Sequence, residues 1–171
     1  MAKTRNLTIS ALLSALAVVS LYLGSLLPTG QLGLAALASL FVAAAIIEAG
    51  LKSGVSVFII SSAIAMLIIP NRVVPLFYLL FFGYYPIIKS LIEKHKNVFV
   101  QWILKILVFN SSLTVIYFLQ KTLIFDIFES QPTVIILYLL GNAVFALFDY
   151  GYSNVIRLYM ELVSKKRKKD D

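Results

Sequence analysis

Cysteine is absent from this chain, histidine occurs once, and only eight of its 171 residues are acidic. Without cysteine there is no disulfide and no thiol nucleophile. With His95 alone in a basic connector, the usual nitrogen and sulfur ligands of a transition-metal site are missing, so no metal and no cofactor is expected. Catalytic patterns are missing as well. The chain has no phosphate-binding glycine loop, no His-Glu-x-x-His pair and no G-x-S-x-G elbow, and its acids lie at different depths. ATP hydrolysis is excluded on this ground. Intramembrane proteolysis would need paired mid-membrane aspartates or a serine and histidine pair. No catalytic residue is assigned, and the chain is read as a protein that is not an enzyme.

Apolar residues fill the space instead. They make up 60% of the chain, charged residues 13%, and the mean hydropathy is +0.92, well beyond a soluble domain of this size. The few charges cluster where apolar runs end, as they do where spans meet water. The expected fold is an all-α integral membrane bundle of six transmembrane helices, organised as a short basic N-terminus (1–6), one membrane domain (7–163) and a charged tail (164–171). The basic N-terminus before an apolar run resembles a signal peptide, but the run from Leu7 to Leu27 is about as long as a full bilayer span, so it is expected to be retained.

The first span carries Ser10, Ala11, Ser14, Ala15 and Ala17 at helical spacing, a shallow groove of small side chains where another helix can come close. Pro28-Thr29-Gly30 ends it. The second span, Gln31 to Ala49, is alanine-rich and ends near Glu48. The third covers about Ser53 to Ile69 and stops at Pro70-Asn71. The fourth, Val73 to Ile92, is aromatic and contains Gly83 and Pro86. Proline removes a donor and crowds the preceding turn, so a kink is expected near Phe82 and Gly83. The fifth runs from Val98 to Gln120, and the longest connector, Lys121 to Pro132, follows. The sixth starts near Thr133 and runs past Val163, longer than a bilayer core requires.

Twelve of the fifteen basic residues fall on one side of this division: Lys3, Arg5, Lys52, Lys89, Lys94, Lys96, Arg157 and the five of 165–169. Arg72 and Lys121 fall on the other, which places both termini in the cytoplasm. The net charge of +7 is therefore read as topology and contact with anionic membrane lipids, with no nucleic acid partner. No internal repeat is present, so a duplicated transporter with inverted halves is not expected.

Ionisable groups inside spans are costly, which makes them the first candidates for function. Lys105 in the fifth span and Asp149 in the sixth lie at compatible depths and are expected to form an intramembrane ion pair, either a neutralising structural pair or a charge switch or proton relay. Asn110 and Asn142 are expected to face each other near mid-membrane, joined by Ser111, Ser112 and Thr114. They serve either as interhelical hydrogen bonds or as the lining of a solute cavity. Tyr78, Tyr117, Gln120 and Tyr138 extend that lining outward, and Arg72 stands at its mouth, where arginine beside aromatic rings suits a carboxylate or a planar ring. Each also has an ordinary reading, as an aromatic belt or a headgroup contact.

The basic start followed by Leu7-Thr8-Ile9-Ser10-Ala11-Leu12-Leu13-Ser14-Ala15-Leu16-Ala17, in a six-span chain of this length, resembles the substrate-binding S components of energy-coupling factor transporters. The resemblance covers the whole chain in architecture and specific residues only in the first helix. It implies that Ala11 and Ala15, with Ser14 beside them, dock a transmembrane T component. It implies a small organic solute such as a vitamin, captured outside a bacterial-type plasma membrane. A T component and two ATPase subunits would drive its uptake. The lack of a His-rich start sets the chain apart from the cobalt and nickel members. Two other classes stay open: a non-transporting scaffold or assembly protein, and a small stand-alone proton-coupled carrier.

Overall fold

A computed structural model describes the backbone of residues 2–123 and 134–170 and the side chains of 4–119 and 135–165. All regular structure among the described residues is helical. The helices are α1 (Ala2–Leu26), α2 (Gln31–Ala49), α3 (Leu51–Ile68), α4 (Val73–Phe77), α5 (Tyr85–Ile92), α6 (Val98–Leu123) and α7 (Val134–Asp170), with a π-helical turn at Tyr78–Phe82. Six helical stretches, with the fourth assembled from α4, the π turn and α5, are long and apolar enough to cross a membrane. The protein is a multi-pass membrane protein. In lipid every backbone group must find its partner within the chain, and a helix does this locally.

Some boundaries differ from the sequence reading. Residues 2–6 belong to α1 instead of preceding it, and Lys121 lies within α6. The rest of the long connector lies outside the described residues. Where one membrane domain was expected, the chain divides into two compact units, Met1–Lys94 and His95–Asp171.

The first unit is built on small residues. Ala17, Ala35, Ala38, Ala45 and Ala65 are completely buried, beside Leu21, Val42 and Val57. Lipid tails are as apolar as leucine, so burial against a neighbouring helix gains little from water exclusion. Close van der Waals packing holds such helices together, and small side chains permit it. Three buried serines fit the same seam by satisfying their hydroxyls within their own helices: Ser14 donates to the Ser10 carbonyl (2.8 Å), Ser39 to Ala36 (2.5 Å) and Ser61 to Val57 (2.7 Å). The α2–α3 link is a single residue, Gly50, at φ +88° and ψ 172°. A side chain there would be strained, and glycine lets the chain reverse while its N–H still closes α2 on the Ile46 carbonyl (3.0 Å).

The kink expected in the fourth span is a break. Pro86 cannot donate to the Phe82 carbonyl, and its ring crowds that turn, so α5 restarts with proline in its first turn. Upstream the helix widens, and Gly83 N–H reaches back five residues to the Tyr78 carbonyl at 2.7 Å. The Phe58 ring fills the space beside the break, with its centroid 6.3 Å from those of both Tyr78 and Tyr84.

Candidate functional site

The second unit is a helical hairpin of α6 and α7 joined by polar rungs. Lys105 Nζ donates to Asp149 Oδ2 at 2.9 Å, with side chains 6% and 4% exposed. Four residues further along α6 and four back along α7, Phe109 and Phe145 stack with centroids 4.6 Å apart and planes 11° apart. Next, Asn110 and Asn142 exchange amide hydrogen bonds of 3.1 and 3.0 Å. Four residues beyond, the Thr114 and Tyr138 hydroxyls meet at 2.6 Å. Partners that advance on one helix as they retreat on the other define an antiparallel register. Measured from Val98 by helical rise, the polar rungs lie about 10, 18 and 24 Å into the span.

Each rung satisfies groups that lipid cannot. A lone charge at a helix centre costs about 2.5–3.5 kcal/mol on insertion scales, and pairing removes the reason for that cost. Lys105 also lies 5.7 Å from the centroid of the Trp102 ring, within cation–π range. The amide rung is doubly anchored, because Asn110 Nδ2 also donates to Ile106 (2.9 Å) and Asn142 Nδ2 to Tyr138 (2.8 Å). Asn142→Leu therefore removes the interhelical pair without orphaning the Asn110 donor. We expect it to lower the stability of the protein in detergent by about 0.6–1.7 kcal/mol, measured as a shift in its unfolding transition.

Beside the two rungs farthest from Val98, Ile135, Tyr138, Leu139 and Asn142 line an open depression of about 370 Å³ on α7, at the small end of the range for small-molecule sites. Tyr138 and Asn142 are also members of the polar ladder; their polar atoms are spent on α6 and the wall of the depression is apolar.

The remaining candidate residues are placed as follows. Tyr117 is half-buried and packs edge-on to Phe118, while the Gln120 side chain lies outside the described residues. Arg72 and Tyr78 belong to the first unit. Tyr78 is 0% exposed, and its hydroxyl is 2.9 Å from Ser61 Oγ. Arg72 is exposed and its guanidinium donates to the Met66 carbonyl, one of the acceptors that the C-terminal end of α3 leaves open. On α1 the small residues divide between two faces. Ser10, Ser14, Ala17 and Leu21 are buried, whereas Ala11 and Ala15 are exposed. Ser14 thus packs inward and does not share a face with the two alanines.

Sequence reasoning missed the Phe109–Phe145 stack, the Ser61–Tyr78 bond and the burial of Lys89, which pairs with Glu93 at 2.7 Å. Folding α6 back on α7 in the register set by Lys105 and Asp149 would have found the stack. The other two depend on how the first four spans pack. Comparisons with protein-family models, curated proteins and solved structures return no match for this chain.

Proposed function

We propose that this membrane protein is a solute-capturing subunit for ATP-driven uptake, similar to the S components of energy-coupling factor transporters. Its termini lie in the cytoplasm of a bacterial-type plasma membrane. The observation that carries this reading is the division of α1: its larger small-residue face is consumed within the first unit, while Ala11 and Ala15 remain exposed and leave room for a partner helix to approach. The twelve-to-two distribution of basic residues supports the orientation. The depression beside Tyr138 and Asn142, whose exposed wall is apolar, supports capture of a small organic solute through an apolar part of it. A T component and two ATPases supply the energy, because this chain carries no nucleotide-binding motif.

Replacing Ala11 and Ala15 together by tryptophan is expected to abolish co-purification with the T component and ATPases while leaving solute retention unchanged. Native mass spectrometry of gently extracted protein reads both at once. Absence of any bound small molecule, together with absence of ATPase partners from the unsubstituted protein, refutes the proposal.

A further inference from the structure

The hairpin register also locates the end of α7. Pairing of Lys105 with Asp149 and Phe109 with Phe145 sets Val98, the first residue of α6, level with Ile156. Helix α7 continues to Asp170, about 21 Å beyond that level. Its outward stripe of Leu140, Val144, Leu147, Val155, Leu158 and Leu162 is exposed throughout, and Leu158 and Leu162, both past the start of α6, are each 61% exposed. The apolar side of the helix therefore outlasts its neighbour by two turns. From Ile135 to Val163 the helix measures about 42 Å, which matches a bilayer with both headgroup layers included, about 40–45 Å. Immediately after Val163 and Ser164 come Lys165, Lys166, Arg167, Lys168 and Lys169. Arg157 and Lys96 carry further positive charge at the same end of the hairpin, against Glu161, Asp170 and Asp171.

We propose that the last turns of α7 are an anionic-lipid-binding segment, with Leu158 and Leu162 embedded among acyl chains and the basic run of 165–169 held against lipid phosphates. An apolar stripe that ends in clustered lysines at headgroup depth fits a charged bilayer surface, because one side must be immersed in lipid for the other charges to reach phosphate. A soluble acidic partner would account for the basic run but not for the exposed Leu158 and Leu162 beside it. The inference is independent of what solute the protein captures.

The lack of cysteine makes the test direct, since Ser164→Cys gives a single labelling site on an exposed position. The full-length protein, labelled there with an environment-sensitive fluorophore, is placed in nanodiscs of phosphatidylcholine alone or mixed with phosphatidylglycerol. Anionic lipid is expected to shift the emission to the blue and to raise quenching by lipid-borne quenchers. Raising salt should reverse both effects, because screening weakens the attraction. Replacing all five basic residues of 165–169 by glutamine should reduce the anionic-lipid-dependent change by ~10-fold or more. The salt titration needs no further substitution, so it decides the matter even where the glutamine variant inserts poorly. Identical spectra in the two lipids, or a shift that salt leaves untouched, overturns the proposal. Identical spectra combined with salt-sensitive capture of polyglutamate would assign the segment to an acidic protein.

Discussion

Asp149→Leu alone is expected to destabilise the protein by about 3–5 kcal/mol, the usual cost of stripping one partner from a buried ion pair. The pair is nearly inaccessible, with Lys105 and Asp149 side chains 6% and 4% exposed, so the remaining ammonium has neither water nor a counter-charge. Lys105→Met in the same protein should recover most of the loss, because an apolar pair of similar volume packs against lipid and helix without any desolvation cost. Thermal unfolding of the single and double variants in detergent, arranged as a double-mutant cycle, measures this. The double variant also separates two readings of the pair. A neutralising pair leaves solute retention intact once the fold is restored, whereas a proton path through Asp149 would leave a folded protein without activity. Failure of the double variant to recover stability would mean that the two charges do more than cancel.

Gly83→Ala is expected to cost about 1–3 kcal/mol, the range for overpacking a filled interior. A Cβ at this position would lie 2.6 and 2.8 Å from two carbons of the Phe58 ring and 2.9 Å from the Tyr78 carbonyl oxygen. The ring can turn aside only by disturbing its contacts with Tyr78 and Tyr84, and the carbonyl is fixed because it accepts the Gly83 N–H that closes the π turn. Phe58→Leu in the Gly83→Ala background should therefore recover part of the loss and leave the part due to the carbonyl. Equal stability of Gly83→Ala and the unsubstituted protein would show that the break in the fourth span is loosely packed.

The ladder was largely legible before the fold was known. Depth alone matches Lys105 with Asp149, since helical rise converts position along a span into distance from its end. Asn110 and Asn142 match in the same way, and both pairs lie within hydrogen-bonding distance. Tyr78 and Arg72 were not legible. Sequence offers each two settings, a solute lining or the membrane interface, whereas Tyr78 is enclosed against Ser61 and the exposed Arg72 donates to the end of α3. Their surroundings depend on how α3 packs against the broken fourth span, and no local pattern records that.

Sequence alone determined the membrane class, the six spans and the matching positions of Lys105 with Asp149 and Asn110 with Asn142 along theirs. Lipid demands apolar side chains and helical backbone, and both demands are local. Tertiary structure alone decided which face of each helix is covered. Both sides of α1 carry small residues, and lipid tails and neighbouring helices are equally apolar, so the spacing of those residues does not say which set is covered. Only packing turns Ser14 inward and leaves Ala11 and Ala15 outside.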